Sequence, residues 1–579
     1  MAMAFASASA NVQARSCVHG SNEAAFSSRL MRDQKVVLLP WPHVRRRRTM
    51  FGSAVCSKPA AGNNGDDLAP GEDLEISSRL GRISFPSRFL FGAATSAFQV
   101  EGTSFGGRGE CIWNTFCRKY PEKIEDRSNG DIAADSYHRY KEDVDLMADI
   151  GMDAYRFSIS WPRILPNGRG KVNQEGIQYY KNLINELHDS GIEPFATLFH
   201  WDVPQALEDE YGGFLDKRIV EDFKNYAKIC YEEFGDKVKH WITMNEPWTF
   251  STLGYGQGVH APGRCTKGLP NLNCPAGGDS LREPYIAAHN ILLAHAEAAR
   301  LYIDEYQAKQ QGKVGITLVS HWYEPYDNNP IEKEAQQRAL EFNLGWFMDP
   351  LEYGNYPFSM RSLVQDRLPV FTPEESEKLK NSFDFIGLNY YTARYAQNVP
   401  TQDNLQTYND DIRANILTEK NGVPIEHAEA GSWINVYPRG LRELLLYTKE
   451  RYNNPAIYIT ENGVLEVDND LPLAEAIVDT HRTEYLTLHL HELTEALRRE
   501  ANVKGYFTWA LLDNFEWQAG YKSRLGLHYI DYRDKTVQES GDEEPILPDR
   551  TRTKKNSAIW FKRFLNIKRK AGMTFGPKI

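Results

Sequence analysis

The chain reads as an α/β protein folded as a single (β/α)8 barrel of the TIM type with long βα loops. Two observations predict it. From about residue 85 onward, eight short apolar segments alternate with amphipathic stretches; such alternation with near-continuous apolar strands describes a parallel sheet covered by helices. Most of those segments also end in polar or aromatic residues, and the C-terminal ends of barrel strands open on one face, where active sites form.

In order, the strands are expected at residues 90–99, 153–161, 193–201, 239–247, 314–325, 383–395, 457–463 and 505–514. Seven of them end in such clusters: Gln99; Arg156 and Trp161; His200 and Trp201; Asn245 and Glu246; Asn389, Tyr390 and Tyr391; Glu461 and Asn462; and the run from Trp509 to Glu516 and Trp517. One such cluster is explained by a capped strand end. Seven on one face point to a site. Between the strands lie helical patterns. Ile177, Tyr180, Leu183, Ile184 and Leu187 share one helix face, and Gly191 stops the run. Residues 218–235 and 281–302 follow the same pattern.

Composition bounds the rest. The 579 residues are 41% hydrophobic and 12% aromatic, enough for a large core, and the net charge of -11 argues against a nucleic-acid partner. No apolar run approaches the roughly 20 residues of a membrane span. The cysteines have no metal-site spacing and no CxxC occurs, so no structural zinc is expected. The first 60 residues hold nine Lys/Arg against only Glu23 and Asp33, with Arg45 to Arg48 as a basic cluster. A Ser/Ala/Arg-rich, acid-poor leader reads as an organelle transit peptide, with a basic tail as the alternative. Residues 1–70 are therefore expected to be an organelle transit peptide and linker, and residues 71–579 the barrel.

Two acids, Glu246 and Glu461, follow apolar strands on opposite walls of the expected barrel. Either alone could cap a helix or pair with Arg. Together they suit glycoside hydrolysis, in which one carboxyl protonates the leaving oxygen and the other attacks the anomeric carbon. Separations of about 5–5.5 Å give retention and about 6.5–9.5 Å inversion. Asn245 stands ready for a sugar hydroxyl. Arg156 and Tyr391 are placed to hold Glu461 ionised, while Glu246 needs a drier or more negative setting to stay protonated.

NEP at 245–247 with ITENG at 459–463, together with FGAATSAFQVEG, YRFSISWPRILP, FHWDVPQAL, GLNYYT and LLDNFEW, resembles glycoside hydrolase family 1, the β-glucosidases and their relatives, over about residues 84–566. The resemblance implies Glu246 as acid/base and Glu461 as nucleophile. It implies that Gln99, His200, Asn245, Glu516 and Trp517 hold the glucose hydroxyls, with Trp509 under the ring. It implies no metal or organic cofactor. The partner would be a small-molecule β-glucoside, and a homo-oligomer is compatible with it. Thioglucoside-cleaving relatives carry Gln where this chain has Glu246, and 6-phosphosugar relatives lose the acid at Glu516, so an unphosphorylated O-glucoside is expected. The leader is similar to that of plastid-targeted grass β-glucosidases of the benzoxazinoid- or saponin-glucoside-cleaving type, and a Cys265–Cys274 disulfide is implied by the plant members' loop.

The chain departs from the family pattern at Leu525, where an aromatic is usual, on the sugar's O6 side. Trp433 stands where relatives stack a planar aglycone. Leu253, His260 and Gln518 replace the Phe residues of benzoxazinoid-cleaving relatives, which implies a wider, more polar cleft, although His260 also reads as a structural residue of its loop. Residues 537–555, acidic then basic, read as a solvated surface loop. The function expected is hydrolysis of plant secondary-metabolite glucosides in chemical defence. A transglucosidase uses the same two carboxylates, and a silent binding homologue would usually have lost one; both remain as alternatives.

Overall fold

The computed structural model describes residues 80–400, 404–468, 470–533 and 547–567. The expected transit peptide and linker lie outside the described residues. Eight parallel strands form the barrel: β1 (Leu90–Ala94), β2 (Ala154–Ser158), β3 (Glu193–Phe199), β4 (His240–Asn245), β5 (Lys313–Val319), β6 (Phe385–Asn389), β7 (Ile457–Asn462) and β8 (Val503–Trp509). Each pairs with its neighbours in sequence, and β1 closes on β8. All eight expected strands are present.

The first expected strand ends at Ala94, so Gln99 lies on the short helix Ala97–Val100 rather than at a strand end, and two others run on into a second sheet. The segment 314–325 leaves the barrel after Val319, and 383–395 leaves it after Asn389. Beyond the rim Trp322–Pro325 pairs with Ala393–Asn398, which pairs in turn with Ala414–Leu417 in a separate three-stranded sheet. The apolar pattern runs on because both stretches are half-buried strands, but their hydrogen bonds belong to different sheets.

The helices pack as their periodicity requires. Gln174–Asp189 buries Ile177, Tyr180, Leu183, Ile184 and Leu187. Gly191 then turns the chain at φ +69°, a conformation open to glycine at little cost. Arg218–Phe234 and Glu283–Leu301 pack against each other on the barrel's outside. Inside the barrel, Phe195 of β3 meets Phe507 of β8 with ring centroids 4.8 Å apart and Tyr458 of β7 at 5.2 Å. Phe385 of β6 joins Tyr458 at 5.2 Å. These rings make a packed plug, so any site must lie above it, at the strands' C-terminal ends.

The expectation of a solvated loop before the last helix fails for its basic half. Residues 534–546 lie outside the described residues, but Arg550, Arg552 and Lys555 are buried. Arg552 pairs with Asp143 at 2.7 Å and Lys555 with Asp513 at 2.8 Å. Thr553–Lys554 adds a short antiparallel pairing to His528–Tyr529. A basic run reads as solvated only until its acids, here distant in sequence, are brought to it.

Candidate active site

Local irregularity aims both acids inward. The register of β7 slips between Ile459 and Glu461, and that of β4 between Ile242 and Asn245. Such bulges turn a side chain out of strict alternation. On β7 Thr460 and Glu461 both reach inward contacts: Thr460 Oγ1 donates to Asn389 Oδ1 at 2.7 Å, and Glu461 faces the cleft. Glu246 sits at φ +45°, and Trp201 and Trp517 at +75° and +52°. The left-handed region costs a residue with a Cβ about 1–2 kcal/mol, so three such residues around one cleft are strain held by their surroundings.

The cleft encloses about 540 Å³ including its mouth. His200, Asn245, Glu246, Tyr391, Trp433, Glu461, Trp509, Glu516, Trp517 and Leu525 line it, with Trp201, Trp248, Thr249, Val319 and His321. Gln99 and Arg156 lie immediately behind that lining. Gln99 Nε2 donates to Glu516 Oε2 at 3.2 Å, to Asn514 Oδ1 and to the Phe515 carbonyl. Trp161, in contrast, is core, stacked on Tyr226.

The two acids have opposite surroundings. Glu461 accepts from the Arg156 guanidinium through Oε1 and from the Tyr391 hydroxyl through Oε2 at 2.6 Å. Burial and the charge of Glu461 push the Tyr391 phenol well above its usual range, so it remains a donor. Glu246 has only neutral partners: Asn389 Nδ2 donates to Oε1 at 2.7 Å and Thr249 Oγ1 to Oε2 at 2.8 Å. Burial first, then the neighbouring Glu461 charge, push Glu246 up to about 8. Glu516 is pushed up to about 7, chiefly by burial and with Glu461 contributing.

Asn245 is locked from three sides. Its Oδ1 accepts from Arg156 Nη2 at 2.5 Å and Asn389 Nδ2 at 3.3 Å, and its Nδ2 donates to His200 Nε2 at 3.1 Å. Burial and Arg156 hold the His200 imidazole well below its usual pKa, so it is neutral. With Nε2 accepting, its proton sits on Nδ1, a buried donor without a protein partner. The other unpartnered imidazole of the lining is His321, with neither nitrogen bonded.

Sequence reasoning missed Asn389 and Thr249 as partners of Glu246, and Trp248, Val319 and His321 as lining. A signal existed. Thr249 is one helical turn after Glu246, at the start of Pro247–Tyr255, and His321 is two residues past the end of β5. The polar aglycone wall expected at Leu253, His260 and Gln518 is not among the cleft's lining. Leu253 is buried in the helix after β4. His260 Nε2 pairs with Gln518 Oε1 at 2.5 Å, and its ring packs 5.3 Å from Trp113 and 5.5 Å from Trp201. His260 Nε2 and Gln518 Oε1 are turned on each other rather than into the cleft. Cys265 and Cys274 form a disulfide, as the resemblance implied. Among the described residues no cluster of His, Cys, Asp or Glu could hold a metal, and no helix is long and apolar enough to cross a membrane.

Residues 82–570 match the family model for glycosyl hydrolase family 1. The chain belongs to that family. β-Glucosidase 12 of Oryza sativa subsp. indica is 58% identical over 84% of this chain and 93% of its own. A Triticum aestivum β-D-glucosidase named chloroplastic and acting on a benzoxazinyl glucoside is 49% identical over 83% of each chain. The rice Os3BGlu6 β-glucosidase, solved as a mutant in covalent complex with glucose, superposes with a TM-score of 0.80 at 47% identity, covering 84% of this chain and all of that one. The protein is a retaining β-glucosidase of family 1.

Proposed function

We propose that Glu246 is the acid/base and Glu461 the nucleophile of a double displacement on β-O-glucosides. The observation that carries this reading is the contrast in hydrogen bonding: one acid is gripped by a cation and a phenol, the other by neutral groups in a dry pocket. Glu461 attacks the anomeric carbon while Glu246 protonates the leaving oxygen. Once Glu461 is an ester its charge is gone, and one cause of the raised Glu246 pKa with it. Glu246 then takes a proton from water, which attacks the ester carbon. NMR of the first glucose released from an aryl β-glucoside tests the pair. The β-anomer is expected, and the α-anomer would overturn the assignment.

His200 Nδ1, Asn245 and Glu516 provide hydroxyl partners for glucose, with Gln99 bonded to Glu516 from behind and Trp509 and Trp517 as apolar surface. A carboxylate at Glu516 disfavours a 6-phosphosugar by like-charge repulsion, and Glu246, in place of Gln, suits an O-glycoside. The aglycone would lie between Trp433 and Trp248, whose rings flank His321 at 6.2 Å each. Among the described residues, both His321 ring nitrogens are free of protein partners at this edge of the cleft. A hydroxyl on the aglycone could bond them, so we assign plant secondary-metabolite aglycones with a hydroxyl near the glucosidic oxygen. With His321→Phe, the kcat/KM advantage of a hydroxyl-bearing aryl glucoside over its deoxy partner should fall about tenfold; an unchanged ratio sinks the assignment.

Release of such aglycones in defence, and action in the plastid, belong to the same reading. The acid-poor leader and the chloroplastic wheat relative support the plastid. Import of the full chain into isolated plastids, with shortening, is the expected result; a chain left outside at full length refutes it.

A further inference from the structure

The basic run before the last helix buries Lys555 beside the segment that carries Leu525, a residue of the cleft's lining. The Lys555 side chain is fully buried at the N-terminal boundary of Asn556–Asn566, and its backbone N–H donates to the Leu527 carbonyl at 3.0 Å. Lys555 Nζ donates to Asp513 Oδ1 at 2.8 Å. The same oxygen accepts the Gly526 N–H at 2.9 Å, and Asp513 Oδ2 accepts Arg524 Nη1 at 2.9 Å. Leu525, which lines the cleft, is thus held on both sides by residues bonded to one carboxylate. Its carbonyl accepts from Ala510, next to Trp509, at 3.0 Å. Asp513 itself lies between Trp509 and the Glu516–Trp517 pair. Gly526 permits the approach, because a Cβ there would stand 2.0 Å from the Asp513 nitrogen.

Charge is nearly balanced in this buried knot. Arg524 Nη2 turns to Asp468 at 2.9 Å, and Arg482, paired with Asp479 at 2.5 Å, donates to the Arg524 carbonyl at 2.9 Å. Removing one member of a buried ion set leaves its partner uncompensated, which strongly destabilises the local arrangement. The group that must shift here is Asp513, whose carboxylate bonds to Gly526 and Arg524 flank Leu525 and whose chain position lies between Trp509 and Glu516.

We propose that Lys555 is a positioning residue for glucose binding, acting through the Lys555–Asp513–Arg524 triad to set the wall formed by Trp509, Glu516, Trp517 and Leu525. The inference rests on the reading that these four side chains face the glucose ring. It touches neither Glu246 nor Glu461, so it predicts a defect in sugar binding rather than in bond breaking.

The test uses the full chain with Lys555→Met and a matched control, Arg552→Met, which breaks the buried pair to Asp143 from the same segment. Both variants should melt earlier. Only Lys555→Met should raise KM for 4-nitrophenyl β-D-glucoside and Ki for glucose, by about tenfold each, with kcat kept within threefold. Asp513→Asn, a near-isostere, should shift the same two constants and serves if Lys555→Met does not fold. Unchanged KM and Ki in the folded variants, or equal shifts in Arg552→Met, overturn the proposal. If glucose does not compete with substrate in the parent enzyme, the reading of the wall itself fails instead.

Discussion

Glu461→Gln is expected to lower kcat for an aryl β-glucoside by roughly 10⁵-fold. The amide keeps the shape and still accepts from Tyr391, so the cleft should persist and glucose should still bind. What disappears is the nucleophile. A second loss accompanies it: Arg156, fully buried, forfeits its anionic partner. Removing one member of such a pair is costly to stability, so a lower melting temperature is expected beside the lost turnover. Glu461→Gly distinguishes the two effects. Azide entering the vacated space should attack the anomeric carbon from the nucleophile's side and yield the α-glucosyl azide. Measured turnover within tenfold of the parent in Glu461→Gln, or a β-azide from Glu461→Gly, would remove Glu461 from this role.

Much of this site was legible in the sequence because a barrel puts its strand ends on one face, whatever the distance along the chain. Apolar periodicity located β1 to β8, and reading their last residues located Glu246, Glu461, His200 and Tyr391. Where the reading failed, the missing information was tertiary. Nothing local distinguishes the end of β5 at Val319 from the extra-barrel strand at Trp322–Pro325. Asn389 belonged to a recognised cluster, yet its bond to Glu246 joins the end of β6 to the end of β4 across 143 positions. His260 and Gln518 looked like polar cleft residues because their mutual pairing spans 258 positions. Lys555 looked solvated for the same reason. A charge says what partner it needs, and only the fold says whether that partner is there.

Glu246→Gln is expected to divide substrates by leaving group. Aryl glucosides with good leaving groups need little protonation, so their first step should slow only modestly. Alkyl glucosides should lose roughly 10²–10⁴-fold, the usual worth of a positioned acid. The second step lacks its base, so the glucosyl ester should accumulate and show as a burst of released aglycone. Azide, needing no base, should then restore turnover and give the β-azide. pH dependence supplies an independent check. In the parent enzyme kcat/KM should fall as pH rises through about 8, where Glu246 loses the proton it must donate; Glu246→Gln should lack that limb. Stability should also fall with rising pH, in a lower window. Between the ordinary carboxyl pKa of 4.5 and about 8, the unfolded chain gives up a proton that the folded chain keeps, so folding weakens as pH rises through that window. A neutral amide at position 246 removes this penalty, and Glu246→Gln should melt a few degrees higher than the parent at pH 7. An unaltered alkaline limb, or equal losses for good and poor leaving groups, would take the acid's role away from Glu246.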